Sequence, residues 1–129
     1  MARLSQADPH LAEQWTMIRA EYCDAHPGKD LVLTCVYRSP EEQQHLYAQG
    51  RTQPGQIVTQ LSGQPGHLSN HNVLPARALD FCVVIGGKVS WDVTEYEPVC
   101  QLAEARGLVA GGHWPHFKDW PHLELPHAS

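Results

Sequence analysis

The sequence is short of positive charge. It carries 9 Lys and Arg against 14 Asp and Glu, a formal net charge of −5 with histidine neutral. Nucleic-acid binding relies on basic patches that neutralise phosphates, so this balance argues against a nucleic-acid partner. It also gives no pull toward anionic lipid. Long apolar runs are missing as well, and no stretch approaches the length of a membrane span, so no membrane insertion is expected. The opening residues, MARLSQADPHLAEQW, hold no apolar core of a secretory signal. The expectation is a product made in the cytoplasm without a signal peptide, which needs another route out if it acts outside. The four cysteines, Cys23, Cys35, Cys82 and Cys100, form no C-x-x-C pair, which argues against a cysteine metal site. They read as buried free thiols, with a Cys35–Cys82 disulfide as an alternative. Internal repeats and low-complexity tracts are absent.

What is present fits one globular domain over residues 1–129, expected to be a monomer. Apolar residues make up 42% and charged residues 18%, a composition that can bury a core. Asp8-Pro9 has the order of an N-cap and a first helical residue, and Leu11, Trp15, Ile18 and Tyr22 follow at helical spacing. Leu31 to Tyr37 reads as a buried strand. Ser39-Pro40-Glu41-Glu42 opens a second helix that runs to about Gln49, with Gly50 beyond it. Residues 51–70 form a long loop. Ala78 to Ile85 is a second buried strand, and Gly86-Gly87 turns into a third at Lys88–Trp91. Thr94-x-x-Glu97 is read as the capping box of a third helix, buried through Tyr96, Val99, Leu102 and Ala103 and ended by Gly107. Leu108–Ala110 and His122–Leu125 are short strands. The expected fold class is α+β: a small, mainly antiparallel sheet with about three packed helices.

Histidine is the abundant chemical group. There are nine, and His67, His71, His113, His116 and His122 fall among Gly, Pro and Asp residues. Histidine is the commonest metal ligand and a common acid–base group. Asp80 is the other unusual residue, a carboxylate inside the apolar run Ala78–Val84. A buried carboxylate is costly unless it is paired or bound to a metal. An Arg77 partner is one solution and a metal is another. His71 ends the long loop, and His122 opens a strand three residues after Asp119. Two histidines and one carboxylate leave a four-coordinate metal one open position. A nearby acid outside the ligand set can then serve as a base.

Four segments together resemble one family. Ser69–Asp80 (SNHNVLPARALD) and Gly111–Leu125 (GGHWPHFKDWPHLEL) are similar to the two zinc motifs of the D-alanyl-D-alanine carboxypeptidase and L-alanyl-D-glutamate endopeptidase family, which includes endolysins of tailed phages. Tyr37–Gln43 resembles its arginine-bearing corner, and Leu46–Thr52 with Gly55–Thr59 resembles the loop of its endopeptidase branch. The likeness spans about residues 30–125.

The resemblance implies a hedgehog/D,D-peptidase-like fold with a zinc site on the sheet. It implies that His71, Asp80 and His122 bind Zn2+, that Asp119 is the general base and that Arg38 stabilises the oxyanion. Ser69, His113, Trp114 and Tyr47 are candidate substrate contacts, with ordinary packing as the other reading for Trp114 and Tyr47. His67, His116 and His127 are expected not to be ligands. The implied activity is hydrolysis of peptidoglycan stem peptides at the L-alanyl-D-glutamate bond, as by a phage or prophage endolysin released through a holin-type pore or lysis. A D-alanyl-D-alanine carboxypeptidase or dipeptidase of the same family, a non-catalytic zinc-bearing module and a Cys–His peptidase are the alternatives. Two departures stand out. The His71–Asp80 spacing is nine residues where seven is common, and His113 replaces the acid of a Gly-Gly-Asp-Trp pattern.

Overall fold

The structure, a computed structural model, describes residues 2–64 and 67–127. Helix α1 (Pro9–Ala25) starts where the Asp8 carboxylate accepts the His10 N–H at 2.9 Å. Pro9 occupies the first helical position, where a missing N–H costs nothing. Leu11, Trp15, Ile18 and Tyr22 are its buried face. Strand β1 (Lys29–Cys35) leads to α2 (Pro40–Ala48), which carries the full Ser39–Glu42 capping box. Strand β2 (Ala78–Ile85) turns at Gly86-Gly87 into β3 (Lys88–Ser90). Both turn residues have positive φ, 56° and 82°, a two-residue hairpin geometry that glycine adopts without steric cost.

Helix α3 (Val93–Ala105) begins earlier than its sequence signature suggests. Asp92 is the cap, accepting the Thr94 N–H at 3.0 Å and the Thr94 hydroxyl at 2.8 Å. Thr94 therefore lies inside the first turn and spends both its N–H and its hydroxyl on Asp92, so the Thr94–Glu97 box does not form. Its buried face contains Cys100 in addition to Tyr96, Val99 and Ala103, with Leu102 only half-buried. Strands β4 (Val109–Ala110) and β5 (His122–Glu124) complete the chain.

The strands form one antiparallel sheet in the order β1-β2-β5-β4, with β3 paired to the far end of β2. Side chains alternate across a strand, and Leu79, Phe81 and Val83 of β2 enter the core beneath α1 and α3. The Phe81 ring lies 5.5 Å from both Trp15 and Tyr96. The Tyr96 hydroxyl donates to the Ser90 carbonyl and accepts the Val83 N–H, pinning α3 to the hairpin. Asp80 is left for the opposite face.

A register shift between Leu33 and Cys35 sets Cys35 opposite Asp80, while Cys82 faces Val32. That placement corrects the Cys35–Cys82 disulfide alternative: all four thiols are free, with Cys23 and Cys35 only half-buried. No helix among the described residues is long and apolar enough to cross a membrane.

Candidate metal centre and active site

Sheet register brings the first two site residues together. Asp80 pairs directly with His122 across β2 and β5, and directly opposed residues share a face. Asp80 Oδ1 therefore sits 3.1 Å from His122 Nδ1. His71 arrives on a 3₁₀ turn, Asn70–Asn72, capped by Ser69. The Ser69 hydroxyl accepts the His71 N–H, and the Asn72 side chain accepts the Ser69 N–H. The turn is fastened to the chain leaving β1: the Arg38 N–H donates to the His71 carbonyl, and the Asn72 amide donates to the Arg38 carbonyl, each at 2.8 Å. His71 Nε2 then lies 3.2 Å from Asp80 Oδ1 and 3.3 Å from His122 Nδ1. The extra residues between His71 and Asp80 are absorbed in a bend that leaves Leu74 exposed.

The outer nitrogens fix both rings. His71 Nδ1 is 2.7 Å from the Val36 carbonyl, which can only accept, so Nδ1 carries a proton. His122 Nε2 is 2.6 Å from Glu124 Oε1, and the other Glu124 oxygen accepts from Asn70. With the outer nitrogens protonated, the inner nitrogens facing Asp80 are the ones left to hold a metal or a second proton. A four-coordinate ion with ligands at about 2.0–2.1 Å separates them by roughly 3.3 Å. The observed triangle of 3.1, 3.2 and 3.3 Å fits such an ion. Electrostatics agree. Burial opposes charge on His71 and His122, yet the hydrogen bond to Asp80, the charge of Asp80 and the further hydrogen bonds of His71 with Cys35 and Val36 and of His122 with Glu124 together outweigh it and raise both pKa values. Burial likewise opposes ionisation of Asp80, but hydrogen bonds from His122 and His71 hold it well below the usual carboxylate range. The cluster demands a positive charge at its centre, as a proton or as a metal.

Asp119 and Arg38 flank this triangle. Asp119 Oδ2 is 3.8 Å from His122 Nδ1. Burial, then the charge of Asp80, raises the Asp119 pKa, moving it toward the range of a useful base. Its backbone N–H donates to the Gly111 carbonyl at 2.9 Å. A Cβ on Gly111 would stand 2.4 Å from the Asp119 carbonyl oxygen, and one on Gly112 would strike the Trp120 ring at 2.3 Å. The Gly-Gly pair is what lets the acid approach. Arg38 Nη2 lies 3.4 Å from Asp80 Oδ2, and Nη1 donates to Gln43 Oε1 at 2.9 Å. Gln43 is fully buried, and its amide also donates to the Thr59 hydroxyl and the Leu61 carbonyl of the long loop.

These groups line an open cleft of about 810 Å³. Trp114 forms part of its wall, with its ring 5.0 Å from that of His122. Ser69 also lines it, as do His116 and His127, which lie outside the donor triangle. Tyr47 is not among the lining residues; its ring carries the Arg51 guanidinium at 3.8 Å. His113 is not among them either and turns to α3, between Glu97 and Glu104.

Glu124 and Gln43 are the functional residues that motif reading passes over. Glu124 had a usable signal, since it lies two residues beyond His122 on a strand and so on the same face. A carboxylate hydrogen-bonded to a metal-binding imidazole orients it and raises its basicity. Glu124→Gln is expected to weaken metal binding about tenfold, read by chelator competition. Unchanged affinity would show that Glu124 does not set the His122 ring.

Comparison with known proteins points one way. Residues 62–125 match the family described as D-alanyl-D-alanine carboxypeptidase. The chain is 37% identical over 111 residues to the peptidoglycan L-alanyl-D-glutamate endopeptidase CwlK of Bacillus subtilis (strain 168). That match takes in 78% of this chain and 64% of the relative, so the chain spans less than two thirds of the relative's length. Among solved structures, the Serratia marcescens L-Ala D-Glu endopeptidase ChiX shares the fold, with a TM-score of 0.70 and 22% identity over 95% of this chain and 83% of that one.

Proposed function

We propose that the chain belongs to the D-alanyl-D-alanine carboxypeptidase family, a reading supported by the family match over residues 62–125 and by the Bacillus subtilis relative, and that within it this protein is a zinc peptidase cutting the L-alanyl-D-glutamate bond of peptidoglycan stem peptides. The observation that carries the reading is the pairing of a metal-sized donor triangle with a separate carboxylate of raised pKa beside it. The named activity of the Bacillus subtilis relative supports the choice of bond.

A zinc ion held by His71, Asp80 and His122 would supply Lewis acidity to the attacking water and the scissile carbonyl. Asp119 takes the proton from that water and passes it to the leaving amine. The Arg38 guanidinium offers donors to the oxyanion that develops on the carbonyl. Gln43 holds one side of that guanidinium through a neutral acceptor, and Asp80 holds the other. Trp114 walls the peptide, and Ser69 holds the turn that delivers His71. Action on the cell wall as a monomeric endolysin, after holin-type release or lysis, goes with this reading. A non-catalytic zinc module would have no use for Asp119 and Arg38 at these positions.

The test is mass spectrometry of fragments released from purified peptidoglycan. New fragments beginning with D-glutamate are expected. Release of free D-alanine, with the L-alanyl-D-glutamate bond intact, would instead assign the carboxypeptidase activity for which the family is described.

A further inference from the structure

His113 stands outside the cleft, yet it is one turn away from the atom that holds Asp119. Its two ring nitrogens lie 2.7 Å from Glu104 Oε1 and 2.8 Å from both Glu97 oxygens. Carboxylates only accept, so both nitrogens donate and the ring is an imidazolium. The residue ends the 3₁₀ turn Gly111–His113. The Gly111 carbonyl at the start of that turn accepts the Asp119 N–H. Gly112, between them, lies against the Trp120 ring, which His113 meets edge-on with 6.2 Å between centroids. A continuous chain of contacts therefore runs from α3 through His113 to the backbone of the acid.

We propose that His113 is a positioning residue: by bridging Glu97 and Glu104 it fastens the Gly111–His113 turn to α3 and so holds the carbonyl on which Asp119 hangs. The proposal rests on the reading of Asp119 as the base. It gives a defined task to the histidine that stands where an acid is common, and it removes that residue from substrate contact. An acid here could not bridge two glutamates, because three carboxylates would repel one another.

The tether is sensitive to pH in one direction. Hydrogen bonds first to Glu97 and then to Glu104 raise the His113 pKa above 6.5. The bridge is complete while the ring is protonated. As pH rises through the folded-state pKa, one nitrogen becomes an acceptor facing a carboxylate, and that arm is lost. The charged neighbours are Glu97 and Glu104 on α3 and Lys118 on the ring's own segment. Cys100, also on α3, has its thiol pushed up to about 12 by burial, so it stays neutral throughout.

Amide hydrogen exchange in the metal-loaded protein tests the proposal without needing turnover. In His113→Gln, protection of the Asp119 N–H is expected to fall about tenfold, with bound metal unchanged. Glu97→Gln combined with Glu104→Gln should reproduce that loss from the helix side and move the His113 ring titration, followed by NMR, down toward 6.5. On peptidoglycan, kcat should fall on the order of tenfold, because a small displacement of a catalytic group is costly, while KM holds. Unaltered Asp119 protection in both variants, or a wild-type His113 that titrates at or below 6.5, would overturn the tether. Loss of protection with no hydrolysis by any of the proteins supports the tether and overturns the functional reading instead.

Discussion

Asp119→Asn is expected to lower kcat by about 10²–10⁴-fold while the metal stays bound. The side chain is 3.8 Å from the nearest inner nitrogen, against 3.1–3.3 Å within the donor triangle, so the proposed reading sets it beside the metal and outside the ligand set. Asparagine keeps the size of the group and leaves the backbone bond to Gly111 in place. What it loses is the capacity to take a proton. The pH profile gives a second reading. Burial and then Asp80 raise the Asp119 pKa above its ordinary 3.8, and the group works only when ionised. With metal kept saturating, wild-type activity should therefore fall as pH drops through the Asp119 pKa, and the variant's residual activity should lack this acid limb. Metal content by atomic spectroscopy and kcat against pH on one peptidoglycan preparation check both points. Full activity in Asp119→Asn would place the base elsewhere.

His122→Ala should lose metal and hydrolysis together. The ring supplies a corner of the triangle on one side and a proton to Glu124 on the other. Its removal leaves two carboxylates, Asp80 and Glu124, without their shared partner in a largely buried site. Loss of one member of a buried pair costs about 3–5 kcal/mol, so the metal-free variant should also melt lower than metal-free wild type. Metal affinity should fall by more than about 100-fold, beyond the loss expected for an outer partner.

Protons compete for the same inner nitrogens. Hydrogen bonding to Asp80 raises the pKa of both histidines in the metal-free protein, so metal must displace protons and its affinity should rise with pH across the neutral range. In the metal-free protein the linkage runs the other way. Stability from the charged histidines is complete below their unfolded value near 6.5 and is lost as pH rises through the raised folded values. Melting temperatures with and without metal, at pH 6 and pH 8, separate the two effects. A His122→Ala protein that kept wild-type metal affinity would remove this histidine from the site.

Local chemistry made part of this site legible. Asp80 was conspicuous because a carboxylate in an apolar strand must be compensated, and β2 was bounded to the residue by its apolar run and its Gly-Gly turn. Capping chemistry placed α1 and α2 at their first residues. The helix α3 start was misplaced because two acceptors, Asp92 and Thr94, stood close together and only their competition decides the cap. Pairing across the sheet was not legible. The irregularity that sets Cys35 opposite Asp80 is one extra residue in a β1 ladder of ordinary apolar residues. His113 shows the same limit at a turn. Its motif position suggested the cleft, but the direction it takes after Gly-Gly depends on two glutamates 9 and 16 positions earlier. Tyr47 carried a nearer clue, because Arg51 follows four positions later and also donates to the Tyr47 carbonyl.

Gly111 has a bearing on how this chain tolerates change. Its missing side chain leaves the space that the Asp119 carbonyl occupies, 2.4 Å from where a first carbon would be. Even the smallest replacement, alanine, adds no reactive group and removes none, yet it pushes on the backbone of the acid. In a map of permitted substitutions, this glycine should be as intolerant as the residues that meet the substrate, although it has no side chain with which to do so.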